Sequence, residues 1–355
     1  MTVAGCAGEP SEDGEEEDTE EPEEELQEGA EENSEEGPEH SATTVWEFEA
    51  ENTFQATPAY HNGVLFVPNA DARIYAIDAE SGDEVWTTRL ERDLRTTLAT
   101  SNEAVFTPRD GEFNYALSQE SGDVIWESDE HFFAGKPDYE DGKLFFTRSG
   151  INALDAETGR GLWEHELDVY ATSPVMASNG LAVTRGPNGI HAVEQDDGDE
   201  VWNFRPDGEP YERGFQMSSE YVVFRADDDR IYVLDTDTGE QVTRISTGAS
   251  DVTLVDGVIY YPDSELIAYG IESDEQLWAA NHRLGSESLA RSMIDGFLVF
   301  ARRREGIGII DISNGSVYEI HEFDWRPAER PLVIDDTMYL TDDSRSLYAF
   351  EIEIS

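Results

Sequence analysis

From residue 44 onward, apolar residues come in short runs of four to six positions, each bounded by Gly, Asn or Asp. In the first clear set, Thr57-Pro-Ala-Tyr60 leads through an Asn62-Gly63 turn into Val64-Leu-Phe-Val67. A loop through Asp71 and Arg73 precedes Ile74-Tyr-Ala-Ile77, and a Glu80-Ser-Gly82 turn leads into Glu84-Val-Trp86. Runs this short, rich in Val, Ile, Tyr and Phe and separated by turn formers, predict antiparallel strands. The set reads as a meander of four strands, A to D.

The same set recurs. Ala76-Ile-Asp78-Ala-Glu-Ser-Gly82-Asp-Glu-Val-Trp86 is followed by Ala116-Leu-Ser-Gln-Glu-Ser-Gly122-Asp-Val-Ile-Trp126. Then come Ala153-Leu-Asp155-Ala-Glu-Thr-Gly159-Arg-Gly-Leu-Trp163 and Ala192-Val-Glu-Gln-Asp-Asp-Gly198-Asp-Glu-Val-Trp202. Weaker copies have Thr243 where Trp is expected, Asp274 where Gly is expected ahead of Trp278, and Tyr318 after a one-residue deletion. The spacing from Trp46 to Tyr318 averages about 39 residues, within the range of propeller blades. Residues 332–353 supply three further strands that lack a fourth. Thr44-Val-Trp46-Glu-Phe48 can supply it, closing the ring and removing open sheet edges. The expected fold is all-β: an eight-bladed β-propeller of four-stranded antiparallel blades, closed by N-terminal strand 44–49 joining the last blade.

The Ala-x-Asp-x-x-Thr/Ser-Gly-x-x-x-Trp unit resembles the tryptophan-docking repeat of pyrroloquinoline-quinone-type eight-bladed propellers over residues 44–355. The resemblance implies Trp residues packed between blades and an Asp-to-Gly turn held by local hydrogen bonds. That family includes quinoprotein alcohol dehydrogenases and non-catalytic lipoproteins of the BamB type. The catalytic members are longer and carry an adjacent-cysteine disulfide against the cofactor. This chain has one cysteine, Cys6, and no haem-attachment Cys-x-x-Cys-His. The resemblance therefore implies the non-catalytic branch, with no cofactor.

Charge changes the picture of habitat more than of fold. The chain has 80 Asp and Glu against 23 Lys and Arg, a formal charge of −57, and its only lysines are Lys136 and Lys143. Binding of nucleic acid by phosphate neutralisation is excluded, as is polybasic docking to anionic lipid. An acid-rich, lysine-poor surface fits multi-molar salt, where a Debye length of about 3 Å or less screens self-repulsion. Eighteen of the acids and none of the Lys or Arg residues fall in residues 1–40. This Glu/Gly/Ser/Pro-rich stretch is expected to form a disordered tether over residues 1–43, ahead of a propeller over 44–355. Val3-Ala4-Gly5-Cys6 resembles a lipobox, which makes Cys6 a candidate lipidation site for an extracytoplasmic, cell-surface protein with a membrane anchor.

With this many carboxylates, acid pairs carry no information about acid–base catalysis, and the histidines show no metal-ligand spacing. The bases are more informative. In an A-to-D meander, B–C loops and D–A connections emerge at one end, and A–B and C–D turns at the other. On this reading 21 of the 23 bases fall at the B–C/D–A end. Candidate ligand- or partner-binding residues are Arg73, Arg109, Arg148, Arg185, Arg302, Arg303, Arg304 and Arg345, because the guanidinium fork suits carboxylate or phosphate. Phe132, Phe133, Tyr211 and Trp325 in the same loops offer aromatic anchors. The competing expectation is that these arginines pair with loop acids such as Glu91, Asp93, Asp227 and Asp342, in surface pairs worth about 0–1 kcal/mol each.

The expected function is a non-catalytic, membrane-tethered binding or assembly scaffold of a halophile. A protein partner or anionic ligand would occupy the arginine-bearing face. The alternative is a quinone-type oxidoreductase or carrier with its ligand in the central channel.

Overall fold

The computed structural model describes residues 40–54, 56–91, 97–107, 114–128, 136–167, 174–186, 188–212, 214–249, 251–280, 289–302 and 304–355. Cys6 and the expected tether up to residue 39 lie outside the described residues.

All regular structure among the described residues is strand, arranged as eight four-stranded antiparallel sheets. Blade 1 consists of Ala59–His61, Val64–Pro68, Arg73–Asp78 and Glu84–Arg89 in the order A to D. Blades 2 to 7 repeat this over 99–128, 138–166, 175–204, 216–246, 253–280 and 289–322. The A strands of successive blades adjoin one another, so A lies nearest the axis and D at the rim. Strands B and C are covered on both faces: Leu65, Phe66, Val67, Ile74, Ala76 and Ile77 are all fully buried. That is why they read as unbroken apolar runs.

Blade 8 draws on both ends of the described chain. Ser41–Glu49 pairs antiparallel with Ser346–Glu353, Ser41 opposite Glu353 and Glu49 opposite Ser346. The closing strand thus starts three residues ahead of the expected Thr44. Ala42 is buried in the same apolar cluster as Ile294 and Ile352, which ties this segment to the propeller.

Each repeat motif serves two junctions. The indole N–H of Trp46, Trp86, Trp126, Trp163, Trp202 and Trp278 donates to a carbonyl in the C–D turn of the next blade, at 2.6–3.1 Å. The ring covers that turn's glycine. A Cβ on Gly82, Gly122, Gly159, Gly198, Gly239 or Gly315 would stand 2.5–2.8 Å from it, and these glycines have φ of +69° to +78°. Only a residue without Cβ meets both demands. The turn is fixed from within, as expected: Asp78 Oδ1 accepts the N–H groups of Glu80 and Ser81, and Asp155 and Asp235 accept from Thr158 and Thr238. At the blade 7–8 junction, where no covalent C–D turn exists, Tyr318 packs edge-on against His40 at 4.8 Å.

Simple strand alternation does not show one regular feature. In seven blades a β-bulge falls in strand D immediately before the docking position, with Val45, Val85, Ile125, Leu162, Val201, Val242 or Leu277 as the extra residue. Each of these side chains is 41–50% exposed. The extra residue aims the next side chain at the neighbouring blade and bends the rim strand, which protects an open edge. In blade 7 the bulge shifts to Ile320.

Candidate functional site

Antiparallel order places B–C loops and D–A connections at one end of every blade. Among the described bases, only Lys143 and Arg160 lie at the opposite end, where Lys143 pairs with Asp196 of the next blade at 2.8 Å.

The eight expected arginines do not form one cluster. Arg109 and Arg303 lie outside the described residues, and the other six are spread over blades 1, 3, 4, 7 and 8. Arg73 pairs with Glu51 and, at 2.7 Å, with Asp71. Arg302 pairs with Glu305 at 2.5 Å and Glu319 at 3.0 Å, and lies 5.2 Å from the Phe300 ring centre. Burial holds the Glu319 carboxyl above its ordinary range, opposed by Arg302. Arg345 pairs with Glu49, both more than half exposed. Arg148 and Arg304 are exposed in their loops.

Pairing therefore dominates among the described candidates, with Glu49, Glu51, Asp71, Glu305 and Glu319 as partners. Asp227 accepts the Glu209 N–H, and Asp342 accepts the N–H groups of Ser344 and Ser346, so both brace their own loops. Asp93 and the aromatic candidates Phe132 and Phe133 lie outside the described residues.

Arg185 differs from the rest by being buried, at 7% exposure near the end of strand B in blade 4. Its Nη1 donates to the Pro210 carbonyl at 3.2 Å and its Nη2 to Glu212 Oε2 at 3.1 Å. Both acceptors belong to the connection between blades 4 and 5. With Glu209, Tyr211 and Asp227 they line a cavity of about 420 Å³. Tyr211 is 43% exposed, with the Arg225 guanidinium 5.1 Å above its ring. The site thus combines a buried cation, an exposed aromatic wall and three carboxylates.

Sequence reasoning gave no special place to Arg330. It pairs with the buried carboxylate of Asp251, 79 positions away and two blades round the ring, and its carbonyl accepts from Thr57 Oγ1 at 3.4 Å. Asp251 and Arg330 each stand two residues ahead of an innermost strand, so this pair borders the axis. Two side chains also clasp adjacent innermost strands. Asp138 accepts the Ala177 N–H at 2.9 Å; Gln216 donates to the Val252 carbonyl at 2.5 Å and accepts from Leu254 N–H at 3.1 Å. Burial pushes the Asp138 carboxyl above its ordinary range, opposed by the Ala177 N–H.

The residues present do not fit a quinone site of the kind the resemblance associates with catalysis. The sole cysteine cannot form an adjacent-cysteine bridge. Among the described residues, no three His, Cys, Asp or Glu side chains converge to hold a metal ion.

Comparison with solved structures shows the fold again. BamB from Moraxella catarrhalis superposes with a TM-score of 0.71 at 15% identity, covering 87% of this chain and 99% of that one. The quinohemoprotein alcohol dehydrogenase from Comamonas testosteroni gives 0.65 at 13% identity, covering 88% and 76%. A europium-containing methanol dehydrogenase gives 0.66 at 12%, covering 87% and 93%. Comparison with curated proteins found no match. The family model described as outer membrane protein assembly factor BamB matches residues 39–144 and 147–353, and the chain belongs to that family.

Proposed function

We propose that the propeller is a non-catalytic binding scaffold of a halophile, held outside the cytoplasm by a lipid anchor on Cys6, that docks partners on its arginine-bearing loop face. The observation that carries this reading is the Arg185 cavity. A buried guanidinium lining a concave site, beside an exposed Tyr, is the residue chemistry of an interface anchor. Glu212 is 60% exposed and can yield its place to a partner's carboxylate. The family's description as an assembly factor supports a scaffold, and the lysine-poor acidic surface supports work in high salt.

Tagged protein purified from native membranes in multi-molar salt tests the proposal, with co-purifying proteins identified by mass spectrometry. Wild type retains a partner that Arg185→Glu loses while still melting cooperatively, and Cys6→Ser shifts the protein into the soluble fraction. Loss of every partner together with a stoichiometric quinone-like absorbance would overturn the scaffold reading. It would favour a redox ligand in the channel, the second reading, which the fold shared with the two dehydrogenases supports.

A further inference from the structure

The junction of blades 7 and 8, at the same loop end, carries a stack of three rings. Phe323 and Trp325 lie 3.9 Å apart at 10°, and Trp325 and Tyr348 lie 4.7 Å apart at 13°. All three are half-buried and packed against the apolar cluster shared by the two blades. Burial pushes the Tyr348 hydroxyl up to about 12, with the Glu47 carboxylate adding to the shift. Rings already fixed by packing lose little further freedom when a partner covers their edges.

Two arginines adjoin the stack. The backbone N–H of Arg304 donates to the Trp325 carbonyl at 2.9 Å, and Arg326 is the next residue in the chain. Both side chains are exposed. Arg73, Arg185, Arg230, Arg244, Arg302, Arg330 and Arg345 each have a carboxylate within 4 Å. Among the described residues, Arg304 and Arg326 have none. Arg89 and Arg160 also have none, as does Arg205, which donates to the Asn188 carbonyl at 3.3 Å; none of the three adjoins this stack.

The backbone of Arg304 is a separate observation. Its φ is +60°, and of the ten non-glycine residues with positive φ among the described residues, eight are Asn or Asp and the others are Ala72 and Arg304. For a long side chain this conformation costs about 1–2 kcal/mol. Residues kept against such a preference cluster at functional sites.

We infer that this junction docks an acidic peptide segment of a protein partner, whose carboxylates pair with Arg304 and Arg326 while an apolar side chain covers the Phe323–Trp325–Tyr348 edge. The inference rests on the scaffold reading and gives it a place and a partner chemistry. Trp, Tyr and Arg are the residues that dominate interface energies. Exposed acids in the same loops, Asp324, Asp343 and Glu305, would repel a broad anionic surface such as a membrane. A narrow segment can place its carboxylates between them.

The test is fluorescence anisotropy with a labelled peptide of Glu and Asp around one Tyr, its Gln/Asn counterpart, and phosphatidylglycerol vesicles. It is run in about 1 M KCl, where a Debye length of about 3 Å leaves only contact pairs. The acidic peptide binds wild type and Arg160→Gln alike, and Arg304→Gly with Arg326→Gln weakens it at least about tenfold, the size expected of two charge-assisted pairs. Arg304→Gly alone melts no lower than wild type, since glycine accepts this φ, so weaker binding is not unfolding. The inference is overturned by unchanged binding to the double variant, by equal binding of the Gln/Asn peptide, or by binding of vesicles alone. If the double variant still captures the native partner from membranes, this site is wrong and the scaffold reading stands.

Discussion

Thr243 faces Asp274 across the junction of blades 5 and 6 and helps hold its carboxyl below the ordinary range, where six other junctions have a tryptophan–glycine contact. Thr243 stands in blade 5 where Trp is expected; Asp274 stands in the turn of blade 6 where Gly is expected. The two departures from the repeat are one substitution made in two places. Asp274 also accepts the Tyr269 hydroxyl at 2.6 Å, and these two donors hold its carboxyl below the ordinary range, Tyr269 first. The same turn has Gly270 where Asp78, Asp155, Asp235 and Asp311 stand in other copies, and here the Ser273 hydroxyl donates to the Gly270 carbonyl at 3.3 Å.

The pair should therefore exchange as a unit. Thr243→Trp alone drives a ring onto Asp274 and is expected to cost about 1–3 kcal/mol, as overpacking does. Adding Asp274→Gly restores most of that loss. Chemical denaturation of the two single variants and the double variant gives the coupling energy, and additive effects would remove the explanation.

Two glycines with the same backbone separate strain from contact. Gly239 has φ +69° and a Cβ there would stand 2.5 Å from Trp202, whereas Gly257 has φ +72° and open space around it. Gly257→Ala is expected to cost about 1 kcal/mol from backbone conformation alone. Gly239→Ala adds the displacement of an inter-blade tryptophan and costs about 1–3 kcal/mol more. Thermal melts compared at one salt concentration decide it.

Arg185 and Arg345 are both paired, but they differ in surroundings. Arg185→Met leaves the Pro210 carbonyl and Glu212 without their buried donor and is expected to cost about 1–3 kcal/mol. Arg345→Met breaks a pair more than half exposed on both sides and stays within about 1 kcal/mol of wild type. Similar losses from the two variants would contradict the assignment of Arg185 to a buried site.

Acid should act on the turns and on the axis with opposite signs. The Ser313 hydroxyl holds the Asp311 carboxyl below its ordinary range, and the Ser81 N–H does the same for Asp78. Their contribution is present above the ordinary carboxyl pKa and is lost as pH falls through the lowered one. Asp138 is raised, so its contribution is present below the ordinary value and is lost as pH rises through the raised one. Stability of wild type relative to Asp311→Asn should fall on acidification from pH 6 to pH 3, and relative to Asp138→Asn it should rise.

The fold was legible because the repeat states each junction several times. Period, motif and the missing fourth strand are local patterns, and together they determine both blade number and closure. The bulges were not legible, because Val85 before Trp86 looks like ordinary alternation until the partner register Ala76–Trp86 and Ile77–Glu84 is known. The loop face was readable from the placement of bases, but their chemistry was not. Whether an arginine is buried like Arg185 or exposed like Arg304 depends on which connection folds over it. The Asp251–Arg330 pair spans two blades, a proximity set by how successive blades curve round the axis and not by any local pattern.

Joining the described ends in blade 8 makes the propeller cyclic in all but one covalent bond. Ser41 is paired with Glu353, and the Ser355 N–H donates to His40 Nδ1 at 3.2 Å. A short linker between those ends would leave every strand pairing intact. Any C–D turn could then become the new pair of termini. The order in which the blades are read along the polypeptide is in this sense arbitrary, and the molecule is specified by its eight junctions rather than by where its chain starts.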